Sequence, residues 1–274
     1  MNVTHIDAVY FSPTGGTRRI VLSLADALSK ALGVPVRATD LTSPASRQRD
    51  YRFPGDSLVV IGTPVYAGRV PNKLLPFLQT GIEGAGATPV IPVCAYGNRS
   101  CGEAPRELLL LTEGRGFVPV AAAAMVCRHV FSASLAAGRP DEDDLRQLTR
   151  FAREAAARLT GPDVPAPLEY DRAAPLAPYY TPLRADLTPA RFLKAKPVTD
   201  PRACTGCGLC AAHCPMGSIS AADPSDVPGV CVKCQACVRL CPTGAKSFAD
   251  PDFLSHTEML EGSYAARREP EFFL

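Results

Sequence analysis

Two matching cysteine ladders lie toward the C-terminal end of the sequence. The first reads C-T-G-C-G-L-C-A-A-H-C-P and places Cys204, Cys207, Cys210 and Cys214 before Pro215; the second reads C-V-K-C-Q-A-C-V-R-L-C-P and places Cys231, Cys234, Cys237 and Cys241 before Pro242. Both follow the C-x2-C-x2-C-x3-C-P run that holds iron–sulfur clusters. Three thiolates at this spacing can wrap one cubane, because the short loop turns each sulfur inward. The fourth cysteine, followed by proline, points back toward the other cluster. The expected ligand sets are therefore crossed. Cys204, Cys207, Cys210 and Cys241 should hold one [4Fe–4S] cluster, and Cys231, Cys234, Cys237 and Cys214 the second. Structural zinc prefers two separated C-x2-4-C pairs and would leave the middle cysteine of each triple idle. A disulfide framework suits small secreted domains, and buried free thiols would not repeat at fixed spacing twice.

A second chemical candidate stands near the start of the chain. An apolar run, Ile6–Phe11, ends directly in Ser12-Pro13-Thr14-Gly15-Gly16-Thr17, where a helix begins. A helix N-terminus offers unpaired N–H groups and a positive dipole end, which together make an anion site. Gly15 and Gly16 let the backbone approach a ligand, and the hydroxyls of Ser12, Thr14 and Thr17 can donate to phosphate oxygens. The blander reading is that Thr17 caps the helix and the glycines only make the turn. The loop has neither the glycine spacing of a dinucleotide site nor the Gly-Lys-Ser/Thr of a triphosphate loop. A hydroxyl-rich loop suits a monophosphate ester.

The elements that must position these groups follow from periodicity. Up to about residue 160, short apolar runs (Ile6–Phe11, Val34–Thr39, Ser57–Gly62, Pro89–Ala95, Phe117–Val126) alternate with helical stretches (Thr17–Leu32, Pro71–Leu78, Glu103–Thr112, Asp143–Leu159). That alternation predicts an α/β fold, a parallel sheet with helices on both faces. Residues 162–201 then carry nine prolines, which excludes a continuous helix or an interior strand. The 274 residues are enough for two domains. The expected division is a first domain at 1–161, a proline-rich arm at 162–195, a cluster domain at 196–250 and a tail at 251–274.

With these residues in view, the chain resembles the flavodoxin–ferredoxin fusion family. Flavodoxins bind the FMN phosphate in a Ser/Thr-x-Thr-Gly-x-Thr loop after the first strand. Two further loops support the likeness: Gly62-Thr63-Pro64-Val65-Tyr66-Ala67-Gly68-Arg69-Val70-Pro71 after the third strand, and Tyr96-Gly97-Asn98-Arg99-Ser100-Cys101-Gly102 after the fourth. The resemblance implies a flavodoxin-like, doubly wound, five-stranded parallel sheet in the order 2-1-3-4-5, with the three loops meeting at its C-terminal edge. It also implies a small α+β two-cluster ferredoxin domain. The FMN residues it implies are Ser12, Thr14, Gly15, Gly16, Thr17, Pro64, Val65, Tyr66, Ala67, Gly68, Tyr96, Gly97, Asn98, Arg99 and Cys101. The stretch His129–Ser132 and Gly138-Arg139-Pro140-Asp141 match as well. Cys101 departs from the pattern, since flavodoxins often place an aromatic ring there. Either Tyr66 and Tyr96 do all the stacking, or one flavin face is open to a cluster or a substrate.

Other residues are read more plainly. Cys94 and Cys127 are expected as small buried hydrophobes, and Arg18 and Arg19 as solvated. His213 and His129 are taken as ordinary packed or surface histidines, although His129 falls near the expected flavin edge. In the arm, Tyr170, Tyr179, Tyr180, Leu183 and Phe192 would each gain ~1.5–3 kcal/mol by burial, so the arm should wrap on the first domain and hold the clusters near the flavin.

The formal net charge is only +2, so neither nucleic acid nor a lipid surface is indicated. Residues 1–161 hold 18 Lys and Arg against 14 Asp and Glu, and residues 196–250 hold 5 against 4. The acidic steering typical of free flavodoxins and small ferredoxins is absent. The sequence opens on strand-like residues without an apolar leader, and no run approaches the ~20 residues that span a bilayer; a cytoplasmic protein is expected. The expected function is electron transfer between a low-potential, ferredoxin-type partner, two [4Fe–4S] clusters and FMN. The alternatives are an FMN-dependent reductase of a small organic acceptor fed by the same electrons, and a redox sensor whose output is the Phe272-Phe273 tail.

Overall fold

The computed structural model describes residues 2–161 and 166–274. Five apolar runs form parallel strands: β1 (His5–Tyr10), β2 (Val36–Asp40), β3 (Ser57–Pro64), β4 (Thr88–Tyr96) and β5 (Ala122–Val126). They lie in the order β2-β1-β3-β4-β5, the 2-1-3-4-5 arrangement of a flavodoxin-like sheet. Ile6 of β1 sits opposite both Val36 and Leu58, and Val93 of β4 opposite Ala123. Helices α1 (Gly16–Leu32), α2 (Leu75–Thr80), α3 (Ala104–Glu113) and α4 (Glu142–Thr160) cover the two faces. Ile20, Leu24 and Leu28 of α1 pack with Phe151, Ala155 and Leu159 of α4 on one side. Leu78 of α2 and Leu108 of α3 pack on Val9, Val59 and Val90 on the other. With both faces covered, every residue of β1 and β4 is buried, which is why these strands read as unbroken apolar runs instead of alternating ones.

Two expectations change in detail. The fifth run, expected as one strand over Phe117–Val126, is broken. Phe117–Pro119 pairs with the start of β4, and the chain jogs through Val120 and Ala121 before β5 resumes pairing with β4. The break follows Pro119, which has no N–H to give to a ladder. The segment expected as a tail is a helix, α5 (Pro251–Ser263), followed by strand β6 (Glu271–Phe273). β6 pairs antiparallel with β5, Glu271 facing Ala124 and Phe273 facing Ala122. Phe272 stacks on Phe151 with ring centroids 4.9 Å apart. The last strand thus covers an edge of β5 that would otherwise present unpaired backbone groups.

Between arm and helix, residues 196–250 form a small unit around the cysteines. It contains a two-stranded antiparallel sheet, Val198–Thr199 with Lys246–Ser247, and two helical turns, Leu209–Ala212 and Ala236–Arg239. Over residues 168–180 the arm lies on the first domain, and from Leu183 onward it runs along α5 and the cysteine unit; residues 162–165 fall outside the described residues. The Tyr170 hydroxyl donates to Glu113 (2.7 Å), the Tyr179 hydroxyl to the Val70 carbonyl (2.8 Å), and the Tyr180 N–H to the Ala67 carbonyl (2.8 Å). Phe192 joins Phe248 and Phe253 in a buried aromatic cluster against which Phe131 packs.

Candidate functional site

The loop after β1 makes its turn with Gly15 in the left-handed region (φ 86°), and Gly15, not Thr17, is the N-cap of α1, with no side-chain cap bond. The hydroxyl of Ser12 accepts from the Arg18 N–H (2.9 Å), so it closes one orphan amide of the first turn and keeps its own proton to donate. The Gly16 and Thr17 amides have no acceptor within the helix. They line a cavity of about 400 Å3 together with Ser12, Thr14 and Gly15. Around the same cavity stand Arg19, Arg128, Arg139 and Arg239, and none of its described lining residues is Asp or Glu. A helix N-terminus and this basic wall suit an anionic group. Arg19 borders the cavity while remaining exposed. Arg139 is largely neutralised by the fully buried Asp144, with which it forms a two-point ion pair.

The other two loops are held by backbone contacts that demand glycine. A Cβ on Gly102 would lie 2.6 Å from the Gly68 carbonyl oxygen, so the loops after β3 and β4 touch main chain to main chain. Buried Glu107 fixes the first of them, accepting from Arg69 at 2.8 and 2.6 Å and from the Val70 N–H at 2.8 Å; this pairing holds the Arg69 guanidinium above its usual range. Gly97 lies under His129, whose ring Cδ2 would be 2.3 Å from a Cβ there. His129 accepts the Phe131 N–H at Nδ1 (3.2 Å). Burial, with the charges of His256, Arg99 and Arg239, lowers its pKa to about 4. The ring is neutral near pH 7, and its remaining proton sits on Nε2.

Pro64, Val65, Tyr66 and Gly97 reach the first cavity. Beyond Val65, Tyr66, Gly97, His129 and Val130, which both share, a second lobe of about 500 Å3 takes in Ala67, Gly68, Tyr96 and Arg99. Two of the expected residues are not brought there. Asn98 is 2% exposed; its amide donates to the carbonyls of Tyr264 (2.6 Å) and Ala266 (2.8 Å) and accepts from the Arg268 N–H (3.2 Å). Cys101 turns toward Glu271 (3.8 Å) and packs on Tyr96, Ala124 and Val126. Burial and Glu271 push its thiol up to about 11. Both side chains hold the returning C-terminal segment, a partner that no local pattern announces. Cys127, expected as a small buried hydrophobe, packs half-buried against the core and also lines the first cavity, its Sγ 3.4 Å from where a Gly16 Cβ would be. Cys127, Arg128, Arg139 and Arg239 were not legible as cavity residues, although Arg139 stood in the matched Gly138–Asp141 stretch.

The eight ladder cysteines divide into two rings. Cys204, Cys207, Cys210 and Cys241 line one cavity, and Cys214, Cys231, Cys234 and Cys237 another, the crossed sets read from spacing. Among the described residues no three His, Cys, Asp or Glu side chains converge as a single ion would require. The two motifs repeat one backbone. Gly206 and Gly208 have φ of 69° and 73°; Lys233 and Gln235, at the equivalent places, have 56° and 63°. Gly217 and Gly244, three residues after the fourth cysteine of each motif, have 59° and 68°. Left-handed residues interleaved with ordinary ones turn successive N–H groups into one concavity, which favours negative charge. At Cys241 the effect is explicit. Burial would raise the thiol, but the Thr243 side chain and the N–H groups of Lys246, Thr243 and Ala245 bring it down to about 7. Burial first, and then the neighbouring cysteines, push Cys234 and Cys237 up to about 12, where a bound cation would keep them as thiolates.

Two arginines join this unit to the sheet. Arg239, between Cys237 and Cys241, donates to the carbonyls of His129 (3.0 Å), Val130 (2.9 Å) and Ser132 (3.0 Å). Arg47 donates to the carbonyls of Leu41 (2.6 Å), Thr42 (2.8 Å) and Pro215, the residue after Cys214. Val230–Lys233, the loop carrying Cys231, forms part of the wall of the second lobe together with Tyr66 and Gly97. No cysteine of the Cys204 ring lines either lobe, and Cys207 is exposed.

A family model described as a 4Fe-4S dicluster domain matches residues 196–242. No curated protein matches the chain. Among solved structures, a flavodoxin from the domain Archaea is 14% identical, with 58% of this chain and 100% of that chain covered and a TM-score of 0.42. A flavodoxin of Streptococcus pneumonia TIGR4 is 21% identical, covering 57% and 99%, with a TM-score of 0.39. Megasphaera elsdenii flavodoxin is 18% identical, covering 55% and 98%, with a TM-score of 0.35. The strand order, not these likenesses, establishes the fold. Fold and cysteine motifs define an iron–sulfur protein of the electron-transfer class. Its architecture is that of a flavodoxin–ferredoxin fusion, a flavodoxin-like sheet followed by a 4Fe–4S dicluster segment.

Proposed function

We propose that the chain passes single electrons between a low-potential, ferredoxin-type partner, two [4Fe–4S] clusters and FMN. One observation carries this reading: the Cys231 loop and the loops after β3 and β4 share the walls of one cavity. A cluster held by Cys214, Cys231, Cys234 and Cys237 would stand next to that cavity. One held by Cys204, Cys207, Cys210 and Cys241 would stand outside it, where Cys207 meets solvent. The amides of Gly16 and Thr17 and the hydroxyls of Ser12, Thr14 and Thr17 would hold the FMN phosphate. Pro64–Gly68, Tyr96, Gly97 and Arg99 would flank the remainder. A bound flavin takes electrons singly and can deliver them in pairs; what the chain adds is fixed distance, water exclusion and an anion anchor. Among the described residues no helix is long and apolar enough to cross a membrane.

Purified anaerobically, the protein should contain about eight irons per chain and one FMN. Four irons, or a flavin released as a dinucleotide, would overturn the assignment. The reductase alternative keeps a specific support, the second lobe. The sensor alternative loses its output, because Phe272 and Phe273 belong to β6.

A further inference from the structure

Arg239 belongs to the cluster unit by sequence and to the phosphate cavity by position. It stands between Cys237 and Cys241 on the helical turn Ala236–Arg239, yet it lines the first cavity together with Ser12, Thr14, Gly16 and Thr17. Its hydrogen bonds to the carbonyls of His129, Val130 and Ser132 all leave from Nη2. A guanidinium is a planar fork of N–H donors, and most of this one is unspent. Among the described residues Nε and Nη1 donate to nothing, although neither is shut off from solvent. No carboxylate offsets the charge: burial first, and then the like charge of Arg128, lower the guanidinium from its usual range. Arg128 is exposed on the wall of the same cavity. Arg139, by contrast, is spent on Asp144.

We propose that Arg239 is a ligand of the flavin phosphate supplied by the cluster unit, so that affinity for FMN depends on the folding of that unit around its clusters. The inference rests on the reading of the first cavity as the FMN phosphate end, and extends that site from the loop after β1 to the other half of the chain. A phosphate monoester is largely dianionic near neutral pH, whereas residues 12–17 offer only amides and hydroxyls. A forked cation already held by carbonyls can meet a phosphate with little further loss of side-chain freedom. The bound anion would also relieve the repulsion between Arg239 and Arg128. Cys237 and Cys241 belong to different rings, so loss of either cluster frees one end of the segment that carries Arg239. Metal binding and folding are coupled in such units, and coupling between two binding sites is reciprocal. FMN should therefore steady the cluster unit as that unit steadies FMN.

Flavin-fluorescence titrations of the full-length, cluster-loaded chain, freed of flavin and kept anaerobic, test this with FMN and riboflavin as paired probes. The native chain should bind FMN more tightly than riboflavin. Arg239→Gln should cut that preference about tenfold or more, the scale of one hydrogen bond to a charged group, at unchanged iron content. A side chain that only clamps the two halves would weaken both flavins alike. That result, or a preference for FMN left intact, would overturn the proposal. A second measurement needs no variant and so does not depend on one folding. In the native chain, saturating FMN should slow iron release to a chelator about threefold or more relative to saturating riboflavin, by the reciprocity of the coupling. Equal release rates would also overturn the proposal. A native chain that binds riboflavin as tightly as FMN would instead sink the phosphate-end reading itself, and this inference with it.

Discussion

At Gly97 a missing side chain is the functional feature, because the His129 ring occupies the place of a Cβ. Gly97→Ala should cost about 1–3 kcal/mol through overpacking and move His129 off the shared wall of the two lobes. Weaker flavin retention together with a lower unfolding midpoint is the expected pair of readouts. Gly16→Glu acts by charge: a carboxylate at the first turn of α1 would occupy the anion site and forfeit a dipole contribution of ~0.3–1 kcal/mol or more. The variant should fold and lose its flavin, and full occupancy would refute the phosphate loop. Cys241→Ala should damage the cluster of Cys204, Cys207 and Cys210, since these four thiols line one cavity. Paramagnetic spectra showing the Cys231 cluster alone affected would overturn the crossed sets. His129 supplies a pH dependence. An ordinary histidine titrates near 6.5, and burial lowers this one to about 4. Between those values the unfolded chain binds more protons than the folded one, so stability at this site is complete above about pH 6.5 and is lost as pH falls toward 4. The stability gap between the native protein and His129→Gln should shift in the variant's favour over that window, by at most about 3 kcal/mol.

The elements that matter most are those that join the two halves. The cysteine unit is tied at both ends, by the arm before it and by α5 and β6 after it, and it is clamped across the middle by Arg47 and Arg239. A guanidinium donating to three carbonyls in a part-buried loop orders both partners, and hydrogen bonds to a charged group are worth ~1.5–3 kcal/mol. Arg239→Ala should therefore accelerate hydrogen exchange at residues 129–132 and slow the passage of electrons from the clusters to the flavin, while the iron content stays near eight per chain. Unchanged exchange and unchanged kinetics would show that the clamp is dispensable. β6 works differently, through Phe272 on Phe151 and through Asn98, which grips the chain at Tyr264, Ala266 and Arg268. This strand explains why Asn98 and Cys101 face away from the cavity that their loop helps to form.

Over the whole molecule the three redox stations are expected in line: solvent, the Cys204 ring, the Cys231 ring and the flavin cavity. Mixing with a reduced low-potential ferredoxin should bleach cluster absorbance first and flavin absorbance second, within one molecule. NADPH alone should act slowly or not at all, since the chain has no second phosphate-binding glycine motif. The near-neutral balance of residues 196–250, 5 Lys and Arg against 4 Asp and Glu, should make the rate only weakly dependent on salt. Rapid flavin bleaching by NADPH in stopped flow, ahead of the clusters, would move the protein to the pyridine-nucleotide reductases.

Amino-acid order alone determined whatever depends on local rules. Cysteine spacing specified two cluster loops, because a loop of two residues leaves few ways to turn thiols inward. Apolar runs alternating with helical stretches specified a parallel sheet with helices on both faces, because buried parallel strands need covered faces; the strand order was implied by the family resemblance alone. The Ser12–Thr17 loop specified an anion site, because a helix N-terminus carries unpaired amides wherever it occurs. Partners far apart in the chain were decided only on folding. Cys127 meets Gly16 and Arg239 joins the same cavity across more than a hundred residues, and β6 closes the sheet from the other end of the chain. The second lobe exists only because the arm, the Cys231 loop and α5 converge over Arg99. Such contacts leave no periodicity to read, since each side chain answers to a neighbour that sequence order does not reveal.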